Sequence, residues 1–300
     1  ILKVGIKLNK TIMKTLLVIA ICILTFNTAK SQIVFGNYTA LDNKYGNIGS
    51  LHNKVLENCY LNMPIPDRFN YENAVSYIAD YNQTYLTSVA KSSTYFDTKQ
   101  ISSEFQIRKY YVNKKTFKEQ LLDTNNPNSI DGIGSQLSKY PILGDKNKMV
   151  FAEISDAMKS NLIGNLSNDL FEKKIVDIYN NFENNGDNLG RDLIGEIVTI
   201  SLLSCEWWRK NPNAADEPKS LGGKGGPSSN FLDESSPYVV PVAAMDAAGA
   251  LVSAGAVALN NYINNGSISW SAVGTGAVIG AVTGSTGIVG KVGKWIASLF

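Results

Sequence analysis

One histidine stands in the whole chain, His52. Any Ser–His–acid or Cys–His chemistry must therefore use it as the base. It lies in the run Gly49-Ser50-Leu51-His52-Asn53-Lys54-Val55-Leu56, seven residues before Cys59. On one helix that spacing is two turns, which separates the two side chains by roughly 10 Å, beyond hydrogen-bond reach. A histidine hydrogen-bonded near the start of a helix is the better reading. Glu153 and Asp156 are three apart on one predicted helix face, with no histidine or third acid beside them. They read as a solvated face rather than a metal site. Gly222-Gly223 and Gly225-Gly226 follow no strand and precede no helix, so they make no phosphate loop. The expectation is no catalytic residue, no cofactor and no metal, and a protein that is not an enzyme.

The chain has three cysteines. Cys22 falls in a leader, which leaves Cys59 and Cys205. In an oxidising compartment they could pair, closing a loop of roughly 145 residues and constraining the unfolded chain by ~4–5 kcal/mol in the entropic model. Two buried free thiols are the equal alternative. CxxC and Cys/His spacings of zinc sites are absent.

The leader itself is residues 1–31, upstream sequence followed from Met13 by a secretory signal peptide. Lys14 precedes the uncharged apolar run Leu16–Phe26, and Ala29-Lys30-Ser31 sets small residues at −3 and −1 of a cut before Gln32. A run of about a dozen residues is ~18 Å as helix, short of a ~30 Å hydrocarbon core. Cleavage removes Lys3, Lys7, Lys10, Lys14 and Lys30 and no acid, turning a formal charge of +2 into −3. Nothing in that balance points to a nucleic-acid partner, which needs clustered Lys and Arg. The expected location is exported: periplasmic, cell-surface or extracellular.

Composition divides the rest. Residues 32–210 carry most aromatics and nearly all charge, and read as a helical domain. Asn70 caps a predicted helix to about Lys91, weaker patterns cover 99–112 and 115–122, and 123–134 reads as a loop. Asp145 precedes a helix ending near Asn161. Leu166, Leu170, Ile175, Ile178, Tyr179 and Phe182 make an amphipathic stripe that Asn184-Asn185-Gly186 ends, and Leu189 through Cys205 mark a long helix ending near Trp207-Trp208. Only Gln32–Phe35 resembles a strand. The class is all-α, a helical bundle. Residues 211–237, full of Pro, Gly, Ser and Asn, read as a flexible linker. A cut after Gly223 or Gly226 would release the tail, although ordinary linker glycine explains the pairs better.

Residues 238–300 read as a Gly/Ala-rich helical hairpin whose only charges are Asp246, Lys291 and Lys294. Pro241 opens the first helix, Val242–Leu259, with Asn260-Asn261 and Asn264-Asn265-Gly266 as the turn. Trp270–Val289 is 20 uncharged residues, enough to cross a ~30 Å core. Trp270, Lys291, Lys294 and Trp295 are placed as interfacial anchors of such a span. Gly276, Gly280 and Gly284 recur every four residues, a GxxxG face on which two helix backbones approach closely. Ala243, Ala247, Ala250 or Leu251, Ala254 and Ala258 form the matching strip on the first helix. Glycine costs up to ~1 kcal/mol relative to alanine in an exposed helix, so this segment needs a partner, a membrane or both. Asp246, a turn or two inside the first helix, is expensive in lipid.

The tail, DAAGALVSAGAVALNNYINNG followed by SWSAVGTGAVIGAVTGS, resembles the Gly/Ala-rich, GxxxG-bearing segments of class II bacteriocin-like peptides. It is also similar to the glycine-zipper tails of uncharacterised secreted proteins of Bacteroidetes-type bacteria. In that group a G-x-x-H-N-x-x-L element stands near the mature start, and Gly49, His52, Asn53 and Leu56 match it. The resemblance implies no established activity; the expectation from the residues of the tail is an exported protein whose tail associates with a membrane, as a bacteriocin-like or pore-forming element, with membrane lipid as partner through 238–300 and with self-association. The other expectation is a periplasmic or cell-surface binding or structural protein, its tail packed on its own bundle or making oligomers.

Overall fold

The computed structural model describes residues 32–62, 84, 85, 88, 117–211 and 242–297, with the backbone alone at 58–62, 117 and 285–297. The fold is all-α. Among the described residues there are nine helices: α1 Thr39–Lys44, α2 Ile48–Asn62, α3 Phe117–Leu122, α4 Ile130–Leu137, α5 Asp145–Leu162, α6 Asn168–Asn185, α7 Arg191–Lys210, α8 Val242–Asn265 and α9 Trp270–Ala297. The strand candidate Gln32–Phe35 yields only an isolated bridge between Val34 and Asn37. Its backbone is held instead by a side chain, since Asn180 accepts from Ile33 N at 3.0 Å and donates to Ile33 O at 3.2 Å. Residues 1–31, read as the leader, the predicted helix at 70–91 apart from the helical Thr84, Tyr85 and Ser88, the predicted helix at 99–112, Pro241, and the linker beyond Asn211 lie outside the described residues.

Local signals place most of the elements. Ser167 caps α6 by accepting from Leu170 N, and Phe171, Ile175, Ile178, Tyr179 and Phe182 are the buried stripe. Asp42, itself buried, caps α2 from outside by accepting from Gly49 N at 2.9 Å and Ser50 N at 3.1 Å. Burial raises the Asp42 carboxyl above its ordinary range, and these donors work against that. Two boundaries differ from the sequence reading. The stretch 123–134 is not loop throughout, because Ser129 caps α4 through Gly132 N at 3.0 Å and Ile130, Ile133 and Leu137 are buried on one face. Gly132 looked like loop composition, but it is a contact point: a β-carbon there would meet Asn126 O at 2.3 Å. The first tail helix does not turn at Asn260-Asn261. It continues to Asn265, with Asn261 Nδ2 donating back to Val257 O at 3.0 Å and Gly266 in the left-handed region making the turn.

Three helices form the centre. In α7 every residue from Leu193 to Cys205 is buried. The same holds in α8 from Val242 to Leu259, apart from half-buried Ala256, and in α9 from Ala272 to Gly284. A helix that is apolar all round belongs in a core or a membrane; here α8 and α9 make the most extensive contact in the molecule and α7 lies against both. Helices α2, α4 and α5 cover them, and one continuous hydrophobic cluster runs from Tyr38 to Val282. Bundle and hairpin, distinct in composition, share a single core. The reason is that neither α7 nor the hairpin has a polar face to give to water.

Candidate functional site

The glycine face expected of the tail is the seam of the hairpin. A β-carbon at Gly280 would stand 2.1 Å from Gly249 O, one at Gly284 2.4 Å from Met245 O, and one at Gly276 2.7 Å from Val257 Cγ2. The backbones of α8 and α9 touch along this line, as the GxxxG spacing implies. The partner strip differs from the expected one. It is Met245, Gly249, Ser253 and Val257 rather than the alanines at 243, 247, 250, 254 and 258. The available signal was Gly249 itself, the glycine four residues before Ser253 on a helix otherwise rich in alanine.

The family-like motif forms the other side of the junction. Gly49 lets α2 approach α7, since a β-carbon would meet Leu203 Cβ at 2.9 Å. Asn53 Nδ2 donates to Leu203 O at 3.0 Å, and Leu56 is buried in the same interface region of α2. His52 is fully buried, its Nδ1 3.0 Å from Asn53 Oδ1. The Asn53 amide is oriented by Leu203, whose carbonyl can only accept, so its Oδ1 must face the ring. Nδ1 therefore carries the imidazole proton and Nε2 carries the lone pair.

That lone pair faces the tail. His52 Nε2 lies 3.6 Å from Asp246 Oδ2, a contact rather than a hydrogen bond, and has no hydrogen-bond partner. Asp246, the lone acid of the hairpin and fully buried, accepts from Ser204 Oγ at 2.7 Å and from Trp208 Nε1 at 2.8 Å through the same oxygen. Ser204 and Trp208 are i and i+4 on α7, so one helix face presents both donors. Burial holds the imidazole down to about 4, against the pull of the Asn53 hydrogen bond. At neutral pH His52 is uncharged and the pair is not an ion pair. Sequence alone did not reveal Ser204, Trp208 or Asp246 as partners; the hint was a lone carboxylate in an apolar helix, which must find donors somewhere.

A second buried carboxylate lies near. Glu172 accepts from Tyr38 OH at 2.5 Å and pairs with Arg209. Burial and then Glu172 raise the Tyr38 phenol above its ordinary range. Cys205 is a buried free thiol that burial keeps well above its usual pKa. The Cys59 side chain lies outside the described residues, as do those of Lys291, Lys294 and Trp295, whose backbone continues α9. Trp270 is half-buried against the core. Glu153 and Asp156 are exposed, Asp156 pairing with Lys159 at 2.9 Å, and no group of three metal-ligating side chains occurs among the described residues. An open pocket of about 310 Å³ between α4 and α5 has Ile130, Leu143 and Phe151 on its wall and the Lys159–Asp131 pair, 2.8 Å, at its edge.

The His52–Asp246–Ser204 group contains the residue types of a hydrolase triad in the wrong order. The carboxylate lies between serine and histidine, and no face of the group opens to water, so neither proton transfer to the serine nor substrate entry is built here. No protein-family model, no curated protein and no solved structure matches the chain.

Proposed function

We propose that this is an exported helical protein that acts by binding rather than catalysis, its Gly/Ala hairpin serving as the spine of its own fold. One observation carries the reading: the 18-residue window of α8 long and apolar enough to cross a membrane is 94% buried inside protein. The lone acid in that helix has its donors on α7, where a lipid-facing helix would have none. The buried state of His52 argues against a catalytic base. At neutral pH the exported protein is expected to be monodisperse without detergent and to stay in the supernatant when phosphatidylcholine vesicles containing phosphatidylglycerol are sedimented. A detergent requirement, or pelleting with lipid at neutral pH, would overturn this.

A second reading is favoured by the seam between α8 and α9. Backbone meets backbone at Gly249 and Gly280, so the hairpin carries its own interface and can leave the bundle as a unit. In this reading residues 32–210 shield a bacteriocin-like or pore-forming hairpin until something releases it. Full-length protein then gains lipid affinity only after a trigger.

A further inference from the structure

We propose that Asn265, at the tip of the Gly/Ala hairpin, is a modification site: its side-chain amide is displaced by the Gly266 main-chain nitrogen, which leaves a carboxylate in the turn between α8 and α9. The proposal stands apart from both readings of function, since it needs neither a membrane nor a ligand.

The chemistry is local. When glycine follows asparagine, the next main-chain nitrogen reaches the side-chain carbon most freely, because glycine has no β-carbon to obstruct the approach. That nitrogen gives its proton to solvent base and forms a bond to Asn265 Cγ. The bond from Cγ to the side-chain nitrogen breaks, and the nitrogen takes up a proton and leaves as ammonia. The five-membered imide then adds one water. Opening at Cγ gives aspartate. Opening at the main-chain carbonyl gives isoaspartate, in which the chain runs through the former side chain and is one carbon longer.

The chain carries this pair twice, each time as Asn-Asn-Gly at the end of a helix: Asn184-Asn185-Gly186 on α6 and Asn264-Asn265-Gly266 on α8. Local sequence makes the two sites nearly equal, and tertiary structure separates them. At the first site the peptide is clamped. Gly186 N–H donates to Phe182 O at 2.7 Å, Gly186 O accepts from Arg191 Nη2 at 2.8 Å, and Asp187 N–H donates to Asn147 Oδ1 at 2.9 Å. The Phe182 ring fills the space beside Gly186, where a β-carbon would stand 2.4 Å from Cδ2. The Asn185 amide is tied as well, donating to Asn181 Oδ1 at 2.7 Å. Attack requires the Gly186 nitrogen to swing toward Cγ, and each of these contacts resists that movement.

The second site is open. Among the described residues Gly266 has one hydrogen bond, from its N–H to Tyr262 O at 2.9 Å. A β-carbon on Gly266 would meet nothing within 4 Å, and its φ is 66°. The Asn265 side chain is exposed and has no hydrogen-bond partner among the described residues. The last turn of a helix frays, and fraying here gives up one bond to solvent. The product alters the hairpin, because residues 247–290 carry no charge. The new carboxylate lies at the C-terminal end of α8, where the helix carbonyls disfavour it.

The test is peptide mass mapping of the exported protein held in mildly alkaline buffer, native in one series and unfolded in guanidinium chloride in the other. Conversion is read as a gain of one mass unit, with the aspartyl and isoaspartyl peptides separated. In denaturant the two Asn-Asn-Gly sites are expected to convert at comparable rates. In the native protein Asn265 is expected to convert at least about tenfold faster than Asn185, because the clamp suppresses the opened population. The Asn265→Gln variant, whose longer side chain must close a six-membered ring, is expected to leave its peptide unchanged over the same period. Equal native rates, faster conversion at Asn185, or an intact Asn265 once the denatured chain has converted overturns the proposal. A preference in denaturant as large as the native one overturns it equally, since the fold would then not set the choice.

Discussion

Gly249 and Gly280 face each other so closely that a β-carbon built on either would stand 2.1 Å from the other's carbonyl oxygen. The obstacle in each case is backbone, which cannot rotate away. The two tail helices are therefore held at a separation that no side chain permits, and this seam fixes how α8 and α9 enter the core.

Alanine at Gly280 or at Gly249 is expected to destabilise the whole protein by about 1–3 kcal/mol, and leucine at Gly280 to abolish cooperative folding. The bundle is not spared, because it shares its core with the hairpin. Gly134, also helical, is the control: a β-carbon there would make only an ordinary contact, 3.5 Å from Phe151. Gly134→Ala is expected to be neutral or to stabilise by up to ~1 kcal/mol. Chemical denaturation of the three alanine variants measures the contrast.

Trp208→Phe and Ser204→Ala each remove one donor from the buried Asp246 carboxylate. Each is expected to cost about 1–3 kcal/mol. The double variant is expected to depart from additivity, since both donors serve one oxygen. A double-mutant cycle in urea gives the coupling, and a coupling of zero would show the two donors to act independently.

Glu183 joins three elements at the surface. It pairs with Lys44 at 2.8 Å and with Arg191 at 3.3 Å. Burial alone raises its carboxyl, but Lys44 and then Arg191 hold it below its ordinary value of 4.5. A lowered acid contributes stability that is present above the unfolded value and is lost as pH falls through the folded one. Glu183→Gln is expected to lose about 1 kcal/mol at neutral pH, and the difference from wild type to shrink as pH falls below 4.5. Melting curves across that range check the sign.

Cys205 is buried on α7, and burial keeps its thiol protonated. A thiol-directed reagent is expected to leave Cys205 unmodified in the native protein and to label it fully in denaturant. Peptide mass mapping distinguishes it from Cys59. Rapid native labelling at Cys205 would show that α7 opens far more readily than a core helix should.

The sequence by itself determined the long helices of the bundle, while the short α1 and α4 escaped it. The runs 145–162, 168–185 and 191–210 are legible because an apolar stripe at helical spacing is a local property, as are the glycine that ends 168–185 and the Asn211-Pro212 that ends 191–210. The zipper glycines were legible for the same reason, and so was the G-x-x-H-N-x-x-L element as a pattern. What the tertiary structure decided was every pairing. Residues 242–259 are apolar on all sides, so no periodicity tells which strip meets α9, and the alanine strip was chosen where Gly249 and Ser253 make the contact. His52 and Asp246 lie in different helices at opposite ends of the described chain, joined only by how α2 and α8 pack on α7. Composition could say that a buried acid needs donors and that a glycine-rich helix needs a close partner. It could not say that the partner is the protein's own core, because long-range packing selects among faces that are locally equivalent.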